Sequence, residues 1–281
     1  MAEIKIENAS YVYGAGTPYE IKALDNVSVT IKSGRTTGII GHTGSGKSTL
    51  VQMLNGLTRP SEGKILVGGK NIWDDPKDIT KIRYRVGLVM QYPEYQLFEE
   101  TIRADIAYGP RNMGLCEDEI EGRVLEAADF VGLDRELLDK SPFDLSGGQK
   151  RRAAIAGIIA MGPEVLVLDE PAAGLDPRGR DVIMEGIRKY RDNAGATIVI
   201  VSHSMEDMAK YCDDIIVMND GKLYMSGEKE KIFSEADKLT SVGLDVPQVT
   251  KVMRLLAKRG VEVNPSVFTI DDALAEINKF L

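Results

Sequence analysis

Cysteine is scarce in this 281-residue sequence: Cys116 and Cys212 stand far apart and in no CxxC spacing, which suggests neither a disulfide framework nor a zinc site. A reducing cytoplasm fits that usage best. Clustered basic charge is missing as well. Lys and Arg number 35 against 43 Asp and Glu, a net charge of −8, so a nucleic-acid surface, which needs a basic patch facing the phosphates, is not expected. The one compact basic group is Lys150, Arg151 and Arg152. Long hydrophobic runs are absent too. The longest, Ala153–Met161, is about half a membrane span, and the alternating residues 1–7 lack the apolar core of a signal peptide. Any membrane role is therefore expected to come through a partner. There is no internal repeat and no low-complexity tract.

What is present is ample apolar material, 43% of the residues, enough for one large α/β domain with a small appendage. Ile4–Ile31 alternates apolar and polar residues, as short strands of a half-exposed antiparallel sheet do, with the turn-rich Gly14–Pro18 between them. From Thr36 the pattern becomes strand (Thr36–Ile40), glycine loop (Gly41–Lys47) and helix (Ser48–Gly56), the crossover unit of a parallel sheet. Further strands are expected at Gly63–Val67, Val86–Met90, Val165–Asp169, Thr197–Ser202 and Ile215–Met218. Several are near-continuous Val, Ile and Leu runs, as in strands buried on both faces. Residues 92–160 read as a helical subdomain, with Glu117–Asp134 its clearest amphipathic helix. The chain thus divides into 1–227 and a helix-rich extension, 228–281, broken at Pro247 and Pro265.

Gly41, His42, Thr43, Gly44, Ser45, Gly46, Lys47 and Ser48 match the phosphate-loop pattern, with a strand before and a helix after. Backbone N–H groups of residues 44–49, Thr49 included, would cradle the β- and γ-phosphates of ATP. Lys47 would neutralise them, Ser48 would ligate Mg²⁺, and His42 would serve as a spacer. Val165–Asp169 ends in two carboxylates. Asp169 would hold the Mg²⁺ shell, and Glu170 would act as general base on the attacking water. His203, at the end of an apolar strand, would contact the γ-phosphate or, in the plainer reading, be a hydrogen-bonded structural histidine. Gln91 would reach Mg²⁺ or the water, or belong to an ordinary surface loop. Tyr13 would stack on adenine, with Tyr11 as its same-face competitor and a core tyrosine as the plain alternative.

Leu145, Ser146, Gly147, Gly148 and Gln149 form a second phosphate-reading element. Gly-Gly lets the backbone approach an anion without Cβ obstruction, and Lys150–Met161 reads as a helix whose positive end faces that anion.

Together Gly41–Ser48, Gln91, Leu145–Gln149, Val165–Glu170, Gly174–Asp176 and His203 resemble the ATP-binding-cassette (ABC) ATPases over roughly positions 3–227. The resemblance implies an α/β P-loop NTPase core of RecA-like mixed sheet, an antiparallel N-terminal β subdomain and a helical signature subdomain. It also implies a head-to-tail dimer in which Ser146–Gln149 of one subunit completes the ATP site built on Lys47 of the other, with Asp176 communicating across the interface. Gly16–Glu20, Gln91–Thr101 and Gly174–Arg180 are similar to the ATPases of energy-coupling-factor transporters, which import vitamins or metals such as cobalt and nickel. The Gly-Thr-Pro piece at 16–18 resembles the second of their two paralogous ATPases. That resemblance implies a paralogous ATPase partner (a heterodimer, or a homodimer), a transmembrane scaffold subunit whose coupling helices dock beside Gln96, a separate substrate-binding membrane subunit, and a place on the cytoplasmic face of the membrane. It implies dimer contacts for the 228–281 extension. On this reading Glu94 and Phe98 face the membrane subunits. Tyr92 departs from the common Phe, and Ala172 from the usual Thr or Ser. DNA-repair cassettes carry long coiled coils between the two motifs, for which the Ser48–Leu145 stretch has no room; ribosome-acting proteins usually carry two cassettes. Intact Glu170 and His203 speak against a non-hydrolysing regulatory subunit.

Overall fold

The computed structural model describes residues 2–279; positions 1, 280 and 281, at the ends of the two expected units, lie outside the described residues. A six-stranded sheet runs through its centre in the order β10-β9-β3-β8-β7-β6. Its strands are β3 (Thr36–Ile40), β6 (Val86–Val89), β7 (Val165–Asp169), β8 (Thr197–Val201), β9 (Asp214–Asn219) and β10 (Lys222–Glu228). All neighbours pair parallel except β10, which returns antiparallel to β9.

Alternation along these strands sorts the core into two layers, because successive side chains point to opposite faces. Leu166, Leu168, Ile198, Ile200, Ile215 and Val217 pack on one side. Val165, Val167, Val199, Val201, Ile216 and Met218 pack on the other. Both sets are fully or almost fully buried, so the continuous apolar runs in the sequence follow from having no wet face. Truncating one such residue to Ala costs about 2–5 kcal/mol, through lost transfer energy and the cavity left behind.

The Val165 side of the sheet is covered by helix α1 (Lys47–Leu54) and a smaller antiparallel sheet in the order β2-β1-β4-β5. Its strands are β1 (Ile4–Tyr13), β2 (Ile21–Ile31), β4 (Glu62–Val67) and β5 (Lys70–Asn71). The expected short strands in Ile4–Ile31 are two long ones, with register shifts that take up Asn8 at φ 48°. Helix α2 (Ile79–Arg85) leads into β6.

The Leu166 side carries the helical subdomain: α3 (Ile102–Asn112), α4 (Glu117–Phe130) and α5 (Gly147–Ile159). Thr101 caps α3 by accepting from the Ala104 N–H at 3.2 Å. Helix α6 (Pro177–Ala194) follows β7 and ends at Gly195 with φ 65°, a left-handed stop that glycine adopts without strain. Helix α7 (Met205–Tyr211) follows β8. Beyond β10 come α8 (Lys229–Ser234), α9 (Ala236–Ser241), α10 (Gln248–Lys258) and α11 (Ile270–Ile277). Pro247 directly precedes α10, and Pro265 lies between α10 and α11. Ile232, Phe233 and Leu239 belong to the main core, whereas Met253, Val263, Val267 and Ala273 hold α10 and α11 together in a small cluster of their own.

The registers align the carboxyl ends of β7 and β8, with Asp169 opposite Val201, and those of β6 and β7, with Val89 opposite Leu168. Gly41, Gln91, Glu170 and His203 all follow strands at this edge, where open parallel sheets hold ligands.

Candidate functional site

The loop after β3 is built around glycines. Gly44 and Gly46 take φ +81° and +96°, and a Cβ on Gly46 would sit 2.6 Å from the Ala23 carbonyl oxygen. Only glycine satisfies both demands there. The loop brings Lys47 to the first residue of α1, one position earlier than the sequence pattern suggests. Lys47 Nζ donates to the Gly41 and His42 carbonyls at 2.7 and 2.9 Å, which leaves one of its three donors. Burial lowers its pKa, against the pull of Glu170 and Asp169, so the charge is dehydrated and strongly attracted to an anion.

His42 does more than space the loop. Its ring hydrogen-bonds Thr43 O at 2.8 Å and Asn219 Oδ1 at 3.1 Å. The Gly221 N–H donates to Ser45 O at 3.2 Å. The turn between β9 and β10 thus backs the phosphate loop, a contact no local pattern announces.

Ser48 Oγ donates to Asp169 Oδ2 at 3.0 Å across the strand-to-helix gap. Two hard oxygen donors side by side fit Mg²⁺, which keeps waters and phosphate oxygens for most of its shell and needs few protein ligands. Burial raises the Asp169 pKa, opposed by Ser48, Lys47 and His203.

Glu170 follows with φ 53°, an uncommon angle for a non-glycine residue, held by its N–H donating to Val201 O at 2.9 Å. Its Oε1 is buried with no hydrogen-bond partner among the described residues. Burial, and then the charge of Asp169, push its pKa up to about 7. A carboxylate tuned to neutrality, with an acceptor lone pair to spare, suits a general base. His203 Nε2 lies 3.5 Å from Glu170 Oε1. Burial and then Lys47 lower the imidazole pKa, against the pull of Asp169, which favours the neutral ring.

Tyr13 Oη pairs with Thr49 Oγ1 at 3.1 Å, and the ring meets Tyr11 edge-on at 4.7 Å. Tyr11 packs on the core, while Tyr13 is 43% exposed beside α1, so Tyr13 is the ring free to stack. Gln91 is exposed, two residues beyond β6, which stops at Val89 rather than Met90.

Pro93–Gln96 forms a short helical turn after Gln91. Glu94, however, is not free to face a partner. Its carboxylate takes a bidentate pair from Arg151 at 2.9 and 2.9 Å, a contact that residue types alone did not reveal. Phe98 is 64% exposed and packs edge-on to Tyr108 at 4.9 Å. With Gln96, Leu97 and Gly157 they line a groove of about 270 Å³.

The second phosphate-reading element opens α5 instead of preceding it. The helix starts at Gly147, three residues before the expected Lys150, because Ser146 caps it: the Gln149 N–H donates to Ser146 Oγ at 3.4 Å and the Ser146 N–H to Gln149 Oε1 at 2.8 Å. This reciprocal cap outweighs the low helix propensity of Gly147 and Gly148. A Cβ on Gly147 would meet nothing within 4 Å, so that surface is open. Asp176 caps α6 by accepting from the Gly179 N–H at 2.8 Å. Ser146, Gly148, Gly174 and Asp176 line one concavity of about 470 Å³, in which no residue of 41–49 takes part. The predicted residues therefore form two groups: Lys47, Ser48, Asp169, Glu170 and His203 at the strand edge, and Ser146–Gln149 with Asp176 on another surface.

The ABC transporter family model matches residues 24–173. Over its whole length the chain is similar to proteins called energy-coupling factor transporter ATP-binding protein EcfA2. That of Caldanaerobacter subterraneus is 53% identical over 99% of this chain and 97% of its own, and that of Clostridium acetobutylicum is 54% identical over 99% and 98%. Among solved structures, cbiO1 of Clostridium perfringens, part of the ABC transporter complex cbiONQ, superposes with a TM-score of 0.75 at 40% identity, covering 89% of this chain and 98% of that one. A dimeric ATP-binding cassette bound to ADP and Pi superposes with a TM-score of 0.73 at 30% identity, covering 80% and 98%.

Proposed function

Because the chain belongs to the ABC transporter family, we propose that it is the ATP-hydrolysing, energy-coupling subunit of a membrane importer of the energy-coupling-factor type. The observation that carries this reading is the division of the site into two groups that one copy does not join. The edge group holds what hydrolysis needs: a dehydrated cation, a Mg²⁺-competent oxygen pair and a base with its pKa near 7. The Ser146 group holds an open anion-binding helix start.

In this reading ATP lies on the phosphate loop with adenine against Tyr13. Lys47 and the 44–49 backbone hold its phosphates, and Ser48, Asp169 and Gln91 would hold Mg²⁺, which would supply positive charge against the phosphates. Glu170 takes a proton from the attacking water, and neutral His203 orients water and γ-phosphate. Ser146–Gln149 of a second ATPase completes the site, and Asp176 lies beside that seam. ATP favours the closed pair and ADP does not, so turnover opens it. The partner is a paralogous ATPase or a second copy. The motion is passed to a transmembrane scaffold docked at the Gln96–Phe98 groove, and a separate membrane subunit binds the cargo, a vitamin or a metal such as cobalt or nickel. No helix among the described residues is long and apolar enough to cross a membrane; in this reading the chain sits peripherally on the cytoplasmic face, held by its membrane subunits. Phosphate release by the purified ATPase complex tests the reading. Turnover abolished by Glu170→Gln supports it, and turnover untouched by that change removes it.

A further inference from the structure

Arg151 is, at 2% exposure, the least exposed charged residue among those described. It stands in the second turn of α5, just after the Ser146 cap. Its guanidinium touches two segments far apart in sequence, the loop at Tyr92–Glu94 and the loop at Ala173. Nε and Nη2 hold both carboxylate oxygens of Glu94, each at 2.9 Å. Nη1 donates to the Ala173 carbonyl. The cation also lies 5.7 Å from the centroid of Tyr92, whose φ of 56° turns the chain immediately after Gln91. Ala173 is itself bound back to the base, its N–H donating to Glu170 O at 3.2 Å.

One side chain thus clasps the helix that carries Ser146, the loop that carries Gln91 and the loop that carries Glu170. A planar fork with fixed donor directions transmits a shift of its helix to both loops, where a flexible lysine would absorb it. Burial removes the water that could replace any of these bonds.

In the dimer just proposed, on which this inference rests, Ser146 faces ATP held by the partner, while Gln91 and Glu170 face ATP held by their own chain. We propose that Arg151 is a positioning residue that couples the two ATP sites: when the partner's nucleotide seats Ser146–Gln149, α5 moves as a unit and Arg151 draws Gln91 and Glu170 into place in its own site. Coupling of this kind needs a packed element that both sites bias, and the clasp supplies one.

The test is steady-state hydrolysis by the full ATPase complex over a range of ATP concentrations. The native complex should respond sigmoidally. Arg151→Met should lower kcat by about tenfold, shift KM by less than about twofold, and bring the response close to hyperbolic. Glu94→Gln, which keeps the shape and fold of the loop, should change kcat and cooperativity in the same direction by about threefold, and it decides the matter if Arg151→Met does not assemble. A hyperbolic native response, unchanged kcat and cooperativity in the folded variants, or a joint fall of kcat and thermal midpoint with cooperativity intact would each overturn the clasp. Glu170→Gln in the same preparation separates the two levels. If it is inactive while Arg151→Met and Glu94→Gln behave as native, only the clasp fails. If it remains active, the hydrolytic reading fails and the coupling with it.

Discussion

The two surfaces that would meet around ATP differ in how their polar groups are kept. At the strand edge most of them are drawn out of water and only partly satisfied: Lys47 donates twice and keeps a third donor, Asp169 Oδ2 accepts from Ser48, and Glu170 Oε1 has no hydrogen-bond partner among the described residues. At the start of α5 they are exposed and locally satisfied, with Ser146 and Gln149 bonded to each other's backbone. The difference teaches a division of labour. Groups poised for chemistry need a low-dielectric setting that the sheet provides, whereas a surface that must meet and leave a partner repeatedly is best left rigid, solvated and complete on its own.

The sharpest way to break this contrast is at its most perturbed group. Glu170→Gln should lower kcat by roughly 10²–10⁴ while ATP binding survives, because shape is retained and the base is lost. Phosphate release and nucleotide binding on one sample check both halves. Next, Lys47→Ala should weaken ATP affinity by about 10–100-fold through loss of a charge-assisted phosphate contact; calorimetric titration showing native affinity would mean that Lys47 is not the phosphate-binding cation.

On the other surface, Ser146→Ala should leave ATP affinity of the Lys47 loop unchanged and cut turnover of the assembled pair by about tenfold, with about 1 kcal/mol of stability lost from the α5 cap. A drop in nucleotide affinity of the isolated chain would erase the distinction between the two surfaces.

The smallest effect is on stability against pH. Glu170 is raised from its ordinary 4.5 to about 7, so between those values the folded chain holds a proton that the unfolded chain has released. Its contribution is complete below pH 4.5 and is lost as pH rises through about 7. Glu170→Gln should therefore be less sensitive to rising pH than the native chain, by on the order of 1–3 kcal/mol across that interval. Thermal or urea midpoints across that range measure it. Hydrolysis should run the opposite way, rising with pH towards a plateau above about 7 as the base ionises.

Much of the strand edge was legible because it is local. Gly41–Ser48 and Val165–Glu170 each carry their chemistry within a few consecutive residues, and the strand or helix beside them fixes where it points. Misreadings arose where distant residues decide. The sequence places the start of α5 at Lys150, yet the reciprocal cap begins it at Gly147. Glu94 reads as a surface acid in an aromatic loop, but Arg151, on α5, takes it out of water. His42 reads as a spacer until the turn at Asn219 comes against it.

By itself the sequence determined the family and placed Gly41–Ser48 and Asp169–Glu170 at strand ends, because phosphate binding, Mg²⁺ ligation and proton abstraction would each demand particular residue types at short spacing. Only the tertiary structure decided which of those groups lose their water, which are tied to one another across the fold, and that Ser146 and Asp176 share a concavity to which Lys47 does not contribute. Burial and long-range pairing depend on what packs from elsewhere in the chain, and no local pattern of residues contains that.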